Sequence, residues 1–242
     1  MSIPRLHLDA PLSEGAELDA APAQAHHLGT VLRRGAGDRL RVFNARDGEH
    51  DAVLAGLRKD RATLRIGPRV RAPAAEPELR LLLAALKRDP MDWAVEKATE
   101  LGATRIQPVL TRRTVADRAN AARLSAIARA AAEQCERLSV PEVAEAQPLY
   151  RVLDAWDAAP LIVAVERSAA PPLREAVAGL APPLALLVGP EGGFEGAELD
   201  DLRRRAFVVP ATLGPRILRA ETAVVAGLAA LQAVVGDWAA PG

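Results

Sequence analysis

LALLVGPEGGF, residues 184–194, sets an uninterrupted apolar run of strand length directly before a glycine-rich turn. A strand buried on both faces reads this way, without the polar alternation of a half-exposed strand, and such strands belong to parallel sheets. Glycine at 189, 192 and 193 lets backbone amides come close to a ligand, and open α/β sheets bind ligands at the carboxyl ends of their strands. A tight structural turn with no ligand reads the same way. The next helix is expected to start near Glu195.

Similar apolar runs at Leu79 to Leu86, Arg105 to Leu110, Leu161 to Val165 and Ala206 to Val209 alternate with helical patterns. This is the signature of an α/β domain with a mostly parallel sheet. Asp89-Pro90 supplies a cap and a first-turn proline, and Gly102 a stop, so Pro90 to Leu101 is predicted as a helix. A longer helix is predicted from Asn120 to Arg137, with Leu124, Ile127, Ala128 and Ala131 facing inward.

The first seventy residues differ in texture. Short alternating segments such as Arg39 to Phe43 and Ala62 to Ile66, separated by turns at Gly35 to Asp38 and Asp47-Gly48, suggest a small β-barrel. HHLGTVLRR, residues 26–34, reads as a short helix before the strands. Pro68, Pro73 and Pro77 then mark a linker, which divides the chain into residues 1–73 and 74–242.

Composition narrows the chemistry. Half of the 242 residues are apolar and 26% are charged, ordinary values for a folded protein. The single cysteine, Cys135, excludes an internal disulfide and a cysteine-rich metal site and suits a reducing compartment. All four histidines (His7, His26, His27, His50) lie in the first fifty residues, so a Ser-His-Asp mechanism in the second domain is excluded and a metal-dependent hydrolase is disfavoured. The N-terminal residues hold no apolar run of signal-peptide length, and the apolar stretch Ala223 to Leu231 is far short of the roughly 20 residues a bilayer span needs. No membrane association and no metal are expected.

Net charge is formally zero, yet residues 28–71 carry eleven Arg/Lys against five Asp/Glu. Only Lys59, Lys87 and Lys97 among the basic residues are lysines. Guanidinium forks suit phosphate recognition, although charge runs are as often solvated faces. No lysine beyond residue 97 means no P-loop, and neither GxGxxG nor GxSxG is present.

A second informative segment, LGPRILRAETA at 213–223, crowds Arg216, Arg219 and Glu221 at the entrance to an apolar helix that ends near Trp238. Such a cluster serves either a site or a local ion-pair group in which Glu221 favours the helix dipole.

VGPEGGF at 188–194, LGPRILRAETA at 213–223, MDWAVEKATELG at 91–102 and AAEQCERLSVPEV at 131–143 together resemble the ribosomal RNA small subunit methyltransferase E family, the 16S rRNA uracil-N3 methyltransferases. The resemblance runs from residue 26 to Trp238, nearly the whole chain. It implies an N-terminal PUA-like β-barrel and a C-terminal SPOUT-type α/β domain with a deep trefoil knot. It further implies a cytoplasmic homodimer that binds S-adenosylmethionine and acts on 16S rRNA within the small ribosomal subunit. Carried over residue by residue, Val188, Gly189, Pro190, Glu191, Gly192 and Gly193 form one cofactor loop; Leu213, Gly214, Arg216, Ile217 and Leu218 form the other.

Uracil N3 carries a proton and is a poor nucleophile while neutral, so methylation there needs a proton acceptor and a group that stabilises the developing anion. Arg219 and Glu221 are the expected catalytic pair, with Arg216 the alternative to Arg219. Arg33, Arg34 and Arg41, with Arg112 and Arg113, are the candidates for holding RNA phosphates. With seven aromatic residues in the chain, extensive base stacking is not expected. Two positions depart from the family pattern: Ala220 stands where threonine is usual, and Thr111-Arg112-Arg113-Thr114 replaces a serine-glutamate-arginine-serine run. A knotted ribose methylase and a non-catalytic RNA-binding factor are the competing readings.

Overall fold

The computed structural model describes residues 3–59, 61–114, 119–166 and 169–238. The chain divides into two compact units. One comprises residues 1–75 with 132–140, the other residues 76–131 with 141–242. Residues 132–140, which the sequence places in the second domain, therefore group with the first.

The first unit is built on β1 (Arg5–His7), β2 (Glu17–Ala20), β3 (Arg39–Asn44), β4 (Gly48–Arg58) and β5 (Arg61–Arg71). They form one sheet in the order β1-β3-β4-β5-β2, antiparallel except for the β1–β3 pair. Register shifts between β4 and β5 mark bulges, the devices that bend a sheet around a small core. Val42, Leu54, Leu64 and Leu28 fill that core. The helix expected at residues 26–34 starts earlier, as α1 (Pro22–His26), because Pro22 sits in the first turn where its missing N–H costs nothing. It then widens into a π-turn over His27–Val31.

Arg5 organises this unit. Its Nε donates to Glu49 Oε1 at 2.6 Å, Nη1 donates to the carbonyls of Ala132 and Glu133, and Nη2 to that of Arg137. The guanidinium also lies 4.1 Å from the centre of the Phe43 ring. Both members of the Arg5–Glu49 pair are almost fully buried, with side chains 6% and 4% exposed. The backbone N–H of His7 donates to Glu133, so residues 132–137 are held against β1 by both side chain and main chain. At the β3–β4 turn, Asp47 accepts from Arg46 and from the Leu12 N–H. Those two donors hold its carboxyl well below the usual carboxylate range.

The second unit is a parallel sheet. Its strands are β6 (Leu79–Ala84), β7 (Arg105–Leu110), β8 (Glu142–Val143), β9 (Gln147–Pro148), β10 (Leu161–Ala164), β11 (Leu184–Val188) and β12 (Val208–Ala211). They lie in the order β12-β10-β11-β6-β7-β8, with β9 also on β7, and every pair is parallel. All five residues of β11 are buried, which is why its sequence shows no alternation. Helices α2 (Arg88–Glu100), α3 (Ala121–Gln134), α4 (Leu149–Asp154), α5 (Leu173–Ala176), α6 (Gly196–Arg204) and α7 (Ala220–Val235) complete the elements. α2 is capped at Lys87 rather than Asp89, two residues before the expected position. Pro90 still falls in the first turn, where N–H groups have no intrahelical partner.

At the sheet edge, β12 faces β10 through the carbonyls of Phe207 and Ala211, which accept from Leu161 and Val165. On its other side, the Val208 N–H donates to Arg205 and the Thr212 N–H to Pro171.

Gly102 ends α2 at φ +83°, a conformation that strains any side chain. A Cβ there would lie 2.3 Å from Nε2 of the buried Gln232 of α7, which donates to the Leu101 carbonyl. Gly102→Ala is expected to destabilise the protein by about 1–3 kcal/mol through backbone strain and the displaced amide. Thermal unfolding measures this; an unchanged melting temperature would show that the amide simply moves aside.

No helix of the described residues is long and apolar enough to cross a membrane, and they hold no group of His, Cys, Asp or Glu arranged for a metal ion.

Candidate active site

β12, β10 and β11 are neighbours in the sheet and run in one direction, so the loops that follow them leave from one end, the carboxyl end of the strands. The chain steps from β10 to β11 on one side and then to β12 on the other. Open α/β sheets bind ligands at such a reversal of strand order.

The loop after β11 is shaped by what its glycines lack. Val188 and Pro190 are buried, Gly189 and Gly193 half-buried, and Glu191 and Gly192 exposed. A Cβ on Gly189 would lie 2.9 Å from the Phe194 ring, so the ring packs where a side chain would stand. The Gly193 N–H donates to the Pro190 carbonyl at 2.8 Å with φ +68°, closing the turn. Glu195 caps α6, and its N–H donates to Glu198 Oε2 at 2.9 Å. The helix thus begins one residue after the expected point.

The loop after β12 carries Leu213 and Leu218 half-buried, with Gly214, Arg216 and Ile217 exposed. Ile217 leaves 58% of its surface open. The Thr212 hydroxyl accepts from the Gly214 N–H at 3.3 Å. Arg219 is the N-cap residue of α7 and exposed, while Glu221 is half-buried in the first turn. No hydrogen bond or ion pair engages the side chains of Arg216, Arg219 or Glu221 among the described residues. The local ion-pair group that the sequence allowed is therefore not formed among the described residues. Position 220 is buried, and alanine fills it without a polar group.

A third element went unnoticed in the sequence. Glu166, exposed just after β10, brings Oε1 to 4.0 Å from where a Gly193 Cβ would stand. Its signal was available: a carboxylate at the end of an apolar strand-length run.

The arginines proposed as phosphate ligands fall in different settings. Arg33 is exposed with φ 51°, and its neighbour Arg34 is half-buried with Nε unpartnered. Arg41 lies on β3 among carboxylates, 3.6 Å from Asp51 and 4.0 Å from Glu49. Arg112 and Arg113 meet the glycine loop and α6 instead. The Arg112 N–H donates to Glu198 Oε1 at 2.9 Å, its Nε lies 3.3 Å from Glu195 Oε2, and Arg113 Nη1 donates to the Gly192 carbonyl at 2.9 Å. The base at 112 thus faces one carboxylate, Glu195, while Glu198 accepts from its main chain.

This arrangement fits a cofactor bound by main-chain groups: an exposed Gly192 and a half-buried Gly193 beside a carboxylate at 166. Residues 74–232 match the RNA methyltransferase domain, and residues 21–67 match the RNA methyltransferase PUA domain. The fold and the site therefore define an RNA methyltransferase with a PUA domain.

Curated relatives narrow this further. The ribosomal RNA small subunit methyltransferase E of Rickettsia conorii is 31% identical over 95% of each chain, and that of Bacillus subtilis is 29% identical over 91% of each. Among solved structures, that of a Neisseria gonorrhoeae ribosomal RNA small subunit methyltransferase E bound to S-adenosyl methionine aligns with a TM-score of 0.85 and 31% identity, covering 98% of this chain and 100% of that one. A Legionella pneumophila methyltransferase with the bound cofactor SAM aligns at 0.89 and 29%, with the same coverage. The chain belongs to the ribosomal RNA small subunit methyltransferase E family.

Proposed function

We propose that this protein methylates N3 of a specific uridine of 16S rRNA in the small ribosomal subunit, using S-adenosylmethionine. The observation that carries the reading is the shared carboxyl end of β11 and β12, where a glycine loop suited to a main-chain-bound cofactor and a loop whose Arg219 and Glu221 side chains have no partner among the described residues both leave the sheet. Residues 188–193 and 213–218 hold the cofactor, chiefly by backbone groups, and Glu166 offers an acceptor to its hydroxyl or amino groups. When bound, S-adenosylmethionine supplies an electrophilic methyl group on a sulfonium.

The protein's own residues must make the uracil nucleophilic. Glu221 accepts the N3 proton and leaves the electron pair on N3; that pair would bond to the methyl carbon of the bound sulfonium as the carbon–sulfur bond breaks, and the sulfur would leave as the neutral thioether. Arg219 stabilises the negative charge that develops on the uracil carbonyl oxygens, and Arg216 orients a phosphate. Residues 1–73 serve as the RNA-holding domain, with Arg33 and Arg34 toward phosphates, and residues 74–242 carry out transfer. The resemblance further supports a trefoil knot in the second domain and a cytoplasmic homodimer. The exposed Ile217 and Trp93 supply apolar surface for such a dimer.

The test is transfer from labelled S-adenosylmethionine to small subunits lacking the modification, read by nucleoside mass spectrometry, with light scattering on the same preparation to give the oligomer mass. Labelled 3-methyluridine is the expected product. Label on a ribose would replace uracil methylation with the ribose-methylase reading. Absence of both label and cofactor binding would favour a non-catalytic RNA-binding factor.

A further inference from the structure

We infer that the turn Thr111–Thr114 is a clamp on the glycine loop, and that Arg113 is a positioning residue for the cofactor rather than a phosphate ligand. This rests on the reading of residues 188–193 as a cofactor loop.

The turn is itself fixed. The Thr111 N–H donates to Thr114 Oγ1 at 2.9 Å, the two hydroxyls lie 2.9 Å apart, and the Thr114 N–H donates to the Thr111 carbonyl. Arg112 and Arg113 therefore project from a closed loop with little freedom of its own. From that base the turn grips two points of the next segment. Arg112 holds Glu198 through its N–H and faces Glu195 through its guanidinium, and these two carboxylates cap α6. Arg113 holds the Gly192 carbonyl. The aliphatic stem of Arg113 runs beside Gly192, with Cβ 3.6 Å and Cδ 3.7 Å from where a Gly192 Cβ would stand.

The consequence lies in one peptide plane. The Gly192–Gly193 peptide has its carbonyl held by Arg113 and its N–H held by the Pro190 carbonyl. Two adjacent glycines lose more conformational freedom on ordering than any other pair of residues. A loop that must be ordered when its ligand arrives binds weakly; one already ordered does not bear that cost. A charge-assisted hydrogen bond at the only carbonyl between the two glycines supplies that order before the ligand arrives.

A guanidinium already committed to a carbonyl and packed along a backbone is also poorly placed for a phosphate. The two roles therefore separate in experiment. Isothermal titration of S-adenosylmethionine and filter binding of small subunits are measured on the full-length wild type, Arg113→Ala and Arg113→Lys. Arg113→Ala is expected to weaken S-adenosylmethionine binding roughly tenfold, the loss of one charge-assisted hydrogen bond. KM for S-adenosylmethionine should rise by a similar factor with kcat within about twofold, a split that general loosening of the fold would not give. Arg113→Lys, which keeps a cation on a long stem, should recover part of the affinity, and subunit affinity should stay at the wild-type value throughout. Weaker subunit binding with unchanged cofactor affinity would overturn the inference and restore Arg113 as a phosphate ligand. Equal cofactor affinity in wild type and Arg113→Ala would overturn it while leaving the cofactor loop intact. If the wild type itself fails to bind S-adenosylmethionine, the cofactor reading falls and the clamp falls with it.

Discussion

Arg219→Ala is expected to lower the turnover of methyl transfer by about two to three orders of magnitude, the range found when one preorganised donor to a developing anion is removed. The expectation follows from what the side chain does not do. Arg219 is exposed at the N-terminus of α7, and its side chain makes no hydrogen bond or ion pair among the described residues, so alanine there leaves no partner orphaned among them. The melting temperature and the affinity for S-adenosylmethionine should stay near wild type, because the proposed cofactor contacts are main-chain groups of neighbouring residues. Turnover within about threefold of wild type would move the anion-stabilising role to Arg216. Glu221→Gln separates the second role: near-normal turnover in that variant would mean that the N3 proton leaves by another route.

The largest effect on stability is expected at Arg5→Ala. Removing one partner of a buried ion pair costs about 3–5 kcal/mol, because the other charge stays buried and uncompensated. Glu49 keeps Arg71 at 3.6 Å and Arg41 at 4.0 Å, so the lower end of that range applies. The carbonyls of Ala132, Glu133 and Arg137 lose their donor in the same change. For a unit of this size, about 3 kcal/mol lowers the melting temperature by roughly 10 °C or more. Hydrogen exchange should localise the loss to residues 3–75 and 132–140. A shift under about 2 °C would show that Arg41 and Arg71 take over the buried carboxylate. Arg5→Lys keeps the charge without the fork that serves four acceptors, and should recover only part of the stability.

These two residues also mark where the sequence is legible and where it is not. β7 and β11 have the expected bounds, and β6 and β10 lie within the expected runs. Strands buried on both faces leave unbroken apolar runs, and burial is what composition reports. β4 was missed because its first residues, Glu49 and His50, are polar yet buried. Only the partners of Glu49, Arg5 above all, explain that burial, and Arg5 lies 44 residues away. β8 and β9, two residues each, are too short to show any period. The same limit governed the site. The glycine loop and the 213–223 segment could be read because each is contiguous. Arg113 reads as a phosphate ligand in the sequence because its partner, the Gly192 carbonyl, lies 79 residues further along. A guanidinium that serves its own chain and one that serves a ligand look identical until the chain is folded.

The outer side of β12 bears on how this protein behaves when crowded. An edge strand with free N–H groups is a template on which another chain can extend the sheet. Here the donors on that side are spent or missing: Val208 bonds back to Arg205, Thr212 bonds to Pro171, and residue 210 between them is proline. Strand-by-strand aggregation finds no free N–H to pair with between Val208 and Thr212. Self-association there is left chiefly to side-chain complementarity, which permits a defined stoichiometry and disfavours the fibrous route.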